Sequence, residues 1–307
     1  MPEYWQQPGR FGRVLNFAID SYVWVTLSWR FESEVLVSYR EVEIAENIAA
    51  IKHPLVRKAL MKYGLPENHI EVHLVANLPG KGTGLGSSSA LAVALVMACR
   101  EWQGRPPLHW QEKAEEAWQL ERAENGPKVG LQDHVAAAKG GLNLFTFHPW
   151  RARNIDYWHS YDTENIGGLM ERLLLFSVGE RSGDGERIMA EMSEKLTGGD
   201  GLAYYDQVSL QALDMGNAIA RREWWRVGEI LHEGWEAKKH FSPQITTPAI
   251  DRIYADARQI GATGGKLCGA GGGGFLLLYA EPEYQPALRF ALAQSGCREL
   301  RFRMAEG

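Results

Sequence analysis

A strand, a loop of glycines and serines, and a helix with almost no polar face follow one another between residues 71 and 104, and that succession aims the start of a buried helix at whatever lies in the loop. Glu71 to Ala76 is β-branched and alternating, as a strand should be. "SSALAVALVMACREWQG", from Ser88 to Gly104, is apolar almost all round its first three turns and predicts a buried helix. Between them lies "PGKGTGLGSSS", from Pro79 to Ser89. The first turn of a helix leaves backbone N–H groups without intrahelical partners and carries partial positive charge, so a loop ending there is suited to phosphate. The plainer reading is that Gly84 and Gly86 only make a tight turn and that Ser87 or Ser88 is an N-cap.

Two common nucleotide loops are excluded. No Gly-Lys-Ser/Thr follows four residues after a glycine, and Lys81 is at the wrong end, so this is not a Walker A loop. Nor do its glycines complete GxGxxG. A second loop, "GAGGGG" from Gly269 to Gly274, does match GxGxxG, but the strand "FLLLYA" follows where a dinucleotide-binding loop needs a helix, so a nicotinamide enzyme is set aside. Two glycine loops, each beside a regular element, point beyond plain turns.

Candidate carboxylates lie between them. In "HWQEKAEEAWQLERAEN", which ends at Asn125 before Gly126 and Pro127, Glu121 follows Ala114, Ala117 and Trp118 on the apolar stripe. A carboxylate there needs a partner: magnesium, which takes hard oxygen ligands together with substrate phosphates, or a salt bridge to Arg122 or another helix, with Glu124 a rival in nearly the same phase. Asp133 opens a short helix at Gln132 to Lys139. It is either a plain first-turn acid or, kept ionised by the helix N-terminus, a residue that orients or deprotonates an alcohol. Adjacent His134 ranks below it as a base.

The remaining elements are mixed. Arg13 to Ser38 reads as two strands joined by a turn near Phe31 to Ser33, Ile48 to Tyr63 as a helix, and Leu142 to Phe147 as a strand. The second half opens on a strand at Arg172 to Val178. Helices are expected near 185–197, 202–222, 224–240 and 249–260, then near Pro286 to Ser295, with a last strand around Arg298 to Phe302. Interspersed strands and helices in 307 residues predict an α+β chain of two domains, divided in the polar and aromatic stretch 148–168.

Composition bounds the function. With 33 basic against 38 acidic residues the charge is −5, and no basic face stands out, so nucleic acid is not an expected partner. Cys99, Cys268 and Cys297 show no CxxC spacing and leave an odd count, which suits a reducing compartment and not a metal or disulfide framework. There is no charged-then-apolar leader at Met1 and no apolar run near 18 residues. A cytoplasmic protein with no membrane partner is the expectation.

The motifs taken together resemble a known family. "PGKGTGLGSSSALAVAL" is similar to the second motif of the GHMP kinases, the superfamily of galactokinase, homoserine kinase, mevalonate kinase and phosphomevalonate kinase, and "GKLCGAGGGGFLLLY" to the third. "RVLNFAIDSYVWV", "LERAENGPKVGLQDHVAAAKGGLNLFTF", "LLLFSVGERS" and "LHEGWEAKKHFSPQITTPAIDRIYADARQIGATGGKLCGAGGGGF" are similar to one branch, the D-glycero-D-manno-heptose 7-phosphate kinases. The resemblance implies a GHMP kinase fold: an N-terminal domain (1–165) like domain 2 of ribosomal protein S5, and a C-terminal ferredoxin-like α/β sandwich (166–307). It implies ATP and Mg²⁺, with ATP phosphates against Pro79, Gly82, Gly84, Leu85, Gly86, Ser87, Ser88, Ser89, Gly271, Gly272 and Gly273. Ser88 and Glu121 would hold the metal, and Asp133 would face the acceptor hydroxyl. Arg181, Lys238, Lys239 and Gly271 are the candidates for binding the sugar phosphate.

One departure stands out. The family's first motif, Pro-x-Arg followed by Gly-Gly-Gly-Thr-Asp, is not found, and "MPEYWQQPGRFGRVLNFAID" resembles the segment just after it. Without that strand a sheet edge would be exposed and the site would be short of groups that meet the substrate. The expected activity is phosphorylation of the anomeric hydroxyl of a heptose 7-phosphate. The alternatives are fucose, galactose or another hexose as acceptor, or a catalytically silent nucleotide-binding relative acting as a regulator or assembly partner; a homodimer is a candidate assembly for the kinase itself.

Overall fold

The computed structural model describes residues 2–306 apart from 79–81, 127–128, 149–154, 163–165, 180–184 and 200. Pro79 and Arg181 therefore lie outside the described residues. The chain forms two compact units, each built from separated segments: Met1–Asp20, Gly82–Leu85 and Gly141–Glu306 make one, Ser21–Lys81 and Gly86–Gly140 the other.

The first unit holds two sheets. Strands β1 (Gly12–Phe17), β6 (Leu142–Phe147) and β7 (Ile155–Tyr161) lie in the order β1-β6-β7, antiparallel throughout, which makes β1 an edge strand. The second sheet runs β11 (Arg298–Glu299), β8 (Leu173–Ser177), β10 (Phe275–Ala280), β9 (Ala262–Leu267), also antiparallel. β10 is buried along its whole length and β8 up to Phe176, which explains their uninterrupted apolar runs.

Helix α8 (Leu202–Ala220) packs on β1, and α9 (Trp224–Lys239) packs on α8 and β9. The short α1 (Pro2–Trp5) meets α7 (Gly185–Thr197), α6 (Gly167–Met170) precedes β8, and α10 (Pro248–Ile260) packs against α11 (Gln285–Gln294). Leu142, Leu175, Met215, Ile219, Ile230 and Leu277 belong to a common core, with Leu85 packed at its margin. β9 is a strand that glycine makes possible: a Cβ on Gly264 would stand 1.8 Å from the carbonyl oxygen of Gly228 in α9, so only two glycines permit that approach.

The second unit is a four-stranded sheet with helices. Its order is β2 (Val23–Trp29), β5 (Ile70–Ala76), β3 (Val35–Ser38), β4 (Val42–Ala45), and only the β3–β5 pair is parallel. Alternation sets its faces: Val35, Val37, Ile70 and Val72 are fully buried, whereas Trp24, Ile44 and Val75 are exposed. Helix α3 (Ser87–Trp102) packs on β2 and α4 (Trp110–Asn125), α4 packs on α5 (Gln132–Lys139), and α2 (Pro54–Lys62) contacts α3 and α4. Ala92, Leu95, Val96 and Cys99 of α3 are buried, as its all-round apolar composition predicts.

Several sequence expectations need correction. The stretch 13–38 contains three strands, because residues 18–22 interrupt the first run. The helix expected over 48–63 is a single 3-10 turn at Ile48–Ala50 and then α2, since Pro54 forces His53 into an extended conformation (φ −66°, ψ 106°) and restarts the helix. The last strand is only two residues long. Among the described residues, no helix is long and apolar enough to cross a membrane.

Candidate active site

α3 starts from a left-handed glycine. Gly86 (φ +74°) occupies the N-cap, no side chain caps the helix, and the Gly86 carbonyl accepts from the Ala90 amide at 2.9 Å. Ser87 and Ser88 are thus inside the helix, and the N-cap reading of either is replaced. The next hydroxyls point elsewhere: Ser88 Oγ donates to Glu121 Oε1 at 2.5 Å, and Ser89 Oγ donates to Oε2 at 2.9 Å.

Glu121 is buried on the inner stripe of α4. His134, fully buried on α5, places Nε2 2.7 Å from Glu121 Oε2. Burial pushes the Glu121 carboxyl up, but His134 and the two serine hydroxyls outweigh it and hold the group below the usual carboxylate range. A buried carboxylate thus stays ionised by accepting from two hydroxyls and lying against the His134 ring. Of the rival interpretations, Arg122 and Glu124 fall away, since Arg122 lies over the Trp118 ring, 4.5 Å from its centroid, and Glu124 pairs with Lys58 at 3.2 Å, whereas the contact of Glu121 with another helix is present, made with His134 of α5.

Asp133 occupies the first turn of α5 on its exposed side, opposite His134. Gln132 Nε2 donates to Asp133 Oδ1 at 3.3 Å. A Cβ on Gly86 would lie 3.5 Å from the Asp133 Cβ, so the start of α3 and the start of α5 face each other at van der Waals distance. Of the two adjacent candidates, Asp133 is the one presented to solvent.

In the other unit the two glycine loops interlock. Gly84 (φ +70°) has no room for a side chain, because a Cβ would stand 2.5 Å from the Cys268 carbonyl oxygen. The contact is reciprocal: a Cβ on Gly274 would lie 2.6 Å from Thr83 O and 2.7 Å from Gly82 O. Leu85 N donates to Thr83 Oγ1 at 3.3 Å. Gly271, Gly272 and Gly273 are buried, and Gly272 N donates to Ile245 O at 2.9 Å, which seats the second loop on the segment after α9. That segment is itself tied to α7, where Glu191 accepts from Ser242 Oγ at 2.5 Å and Gln244 Nε2 at 2.9 Å. Lys238 Nζ donates to Gly269 O at 2.6 Å and Leu267 O at 3.3 Å, and Lys239 pairs with Glu236 at 2.7 Å.

Residues 48–141 match the GHMP kinases N terminal domain, and residues 217–296 match the GHMP kinases C terminal domain. The chain belongs to the GHMP kinases. The first match takes in Ser88, Glu121, Asp133 and His134, the second Lys238 and the Gly269–Gly274 loop. This GHMP kinase is 28% identical over 290 residues to the D-glycero-alpha-D-manno-heptose 7-phosphate kinase of Campylobacter jejuni, covering 88% of this chain and 82% of the relative. It is also 28% identical over 258 residues to the L-fucokinase/L-fucose-1-P guanylyltransferase of Bacteroides fragilis, which covers 82% of this chain but only 26% of that protein. The solved D-glycero-D-manno-heptose 1-phosphate kinase from Bacteroides thetaiotaomicron superposes with a TM-score of 0.71 at 21% identity, over 96% of this chain and 88% of that one. The GHMP kinase fold expected from the motifs is the fold observed.

Sequence reasoning missed two parts of this geometry. Ser89 and His134 both converge on Glu121, but the contact joins three helices and has no period along the chain. The one available signal was the inward phase of His134 with Val135 and Ala138 on α5.

Proposed function

We propose that this GHMP kinase transfers the γ-phosphoryl group of ATP to the anomeric C1 hydroxyl of D-glycero-D-manno-heptose 7-phosphate, in the synthesis of nucleotide-activated heptose. The observation that carries the reading is the head of α3, where Ser88 Oγ sits 2.5 Å from Glu121 Oε1 while Asp133 faces Gly86. The choice of sugar is supported by the Campylobacter jejuni relative. ATP as phosphoryl donor fits a cytoplasmic setting.

In this reading the chain divides into an ATP-binding N-terminal domain (1–165) and a C-terminal domain (166–307). The segment made of Pro79, Gly82, Gly84, Leu85, Gly86, Ser87, Ser88 and Ser89 wraps the phosphates, its backbone N–H groups from Gly82 onward making the cradle, with Gly271, Gly272 and Gly273 supporting them. Ser88 Oγ and Glu121 Oε1 are hard oxygens, and Ser88 is exposed, so the pair fits Mg²⁺, which takes one or two protein oxygens together with nucleotide phosphates. Bound there, the ion would neutralise charge on the phosphates. Asp133 orients the sugar hydroxyl and receives its proton. The hydroxyl oxygen forms a bond to the γ-phosphorus as the bond to the β–γ bridging oxygen breaks, and ADP leaves with that electron pair. Arg181, Lys238 and Lys239 are the cations proposed for the 7-phosphate.

³¹P NMR with Mg·ATP and a panel of heptose 7-phosphate, fucose and galactose tests the proposal. A new anomeric phosphate signal with heptose 7-phosphate is expected. A signal only with fucose would favour the chemistry named for the Bacteroides fragilis relative. No signal with any of the three sugars would overturn the heptose acceptor, in favour of another hexose or of a silent nucleotide-binding relative.

A further inference from the structure

We infer that His134 is a positioning residue: with Ser89 it fixes one oxygen of Glu121 and thereby reserves the other, beside Ser88, for a divalent cation. The inference rests on the proposed metal role of Glu121 and Ser88.

The two oxygens of Glu121 are treated unequally. Oε2 faces two groups held in the interior, Ser89 Oγ at 2.9 Å and His134 Nε2 at 2.7 Å, whereas the contact at Oε1 is the exposed Ser88 at 2.5 Å. Neither ring nitrogen of His134 has a partner at hydrogen-bonding angles among the described residues, so the 2.7 Å approach of Nε2 to Glu121 Oε2 is an electrostatic contact. Among the described residues, the charged group that the ring approaches is the Glu121 carboxylate. A neutral imidazole must carry its proton on Nε2 to meet it, because an ionised carboxylate can only accept. The Ser89 donor and the imidazole edge 2.7 Å away together hold that oxygen and stop the carboxylate from rotating, and the lone pairs of the other are then directed past Ser88. Outer groups that orient a ligating carboxylate commonly govern metal affinity by about 10- to 100-fold.

The placement has a second consequence. His134 and Asp133 are consecutive on α5, so one short helix carries the exposed acid on one side and the anchor of Glu121 on the other. His134 has no route to the sugar and touches no reacting atom in this scheme. Its effect passes wholly through Glu121.

The test uses the full chain and Mn²⁺ as probe, bound with a non-hydrolysable ATP analogue and followed by electron paramagnetic resonance. His134→Leu is expected to raise the Mn²⁺ Kd at least about 10-fold. His134→Gln, whose amide N–H reaches the same oxygen, should stay within about threefold of the parent chain. Weakened binding in both variants alike would mean that the imidazole matters for packing only and would overturn the inference. So would an unchanged Kd in His134→Leu when Glu121→Gln binds Mn²⁺ weakly. An unchanged Kd in Glu121→Gln would remove the metal reading itself, and this inference with it. Should His134→Leu fail to fold, Ser89→Ala removes the hydroxyl donor to Oε2 with little change in volume, and there a Kd raised at least about threefold supports the inference and an unchanged Kd overturns it.

Discussion

Gly84 lies so close to Cys268 that a single added carbon would stand 2.5 Å from the cysteine carbonyl oxygen. The two glycine loops meet backbone against backbone, and Gly84 and Gly274 are there because nothing larger fits. Their amides can be presented to phosphate only if that packing is kept.

Replacing Gly84 by alanine combines a left-handed φ of +70° with the steric conflict, whereas Gly104, at φ +64°, has nothing within 4 Å of its missing Cβ. Gly104→Ala should lose only the conformational preference, about 1 kcal/mol. Gly84→Ala should lose at least about 2 kcal/mol more and raise KM for ATP about 10-fold or further, because Cys268 O cannot yield without moving the second loop. Calorimetry and steady-state kinetics on the two variants check this, and equal effects would contradict the interlock.

Asp133→Asn keeps the shape of the first turn of α5 and the Gln132 neighbour but removes the proton acceptor. Turnover is expected to fall between about 10²- and 10⁴-fold, with affinity for an ATP analogue unchanged. Full activity in this variant would show that Asp133 neither orients nor deprotonates the acceptor.

Much of this arrangement was legible in the chain, for reasons that differ by element. α4 and α5 carry a helical apolar period and end at Gly126 and Gly140, both at positive φ, so their extents followed from pattern and stop signals together. β9 was hidden because Gly264 and Gly265 carry no propensity, and only the approach of α9 explains them. β7 was hidden because Tyr157, Trp158, His159 and Ser160 all face solvent and show no alternation. Glu121 stood out as a carboxylate on an apolar stripe. Its anchor His134 did not, since a contact between helices leaves no spacing to read.

Burial separates the cysteines. It pushes the Cys99 thiol up to about 12 and raises that of Cys297, while Cys268 is half-buried. A raised value keeps the neutral, unreactive thiol dominant, so at pH 8 only about one Cys99 in 10⁴ is a thiolate. Iodoacetamide at pH 8 should label the native chain at Cys268 alone and the denatured chain at all three cysteines, as intact mass and peptide mapping will show. Rapid native labelling of Cys99 would mean that α3 is not packed as described.

Lys238 and Lys239 are neighbours in sequence but not in circumstance. The Lys238 ammonium bridges Gly269 O and Leu267 O, carbonyls that would lose a charged donor, whereas Lys239 is held by an i,i+3 pair with Glu236 of the kind that contributes little. Lys238→Gln should therefore lower Tm, by an amount corresponding to about 1 kcal/mol, and Lys239→Gln should not. If both cations meet the 7-phosphate, each variant should raise KM for heptose 7-phosphate about 10-fold and leave KM for the unphosphorylated heptose unchanged. A parallel rise with both sugars would assign Lys238 to the glycine loop alone and take Lys239 out of the site, leaving Arg181 as the cation to test next.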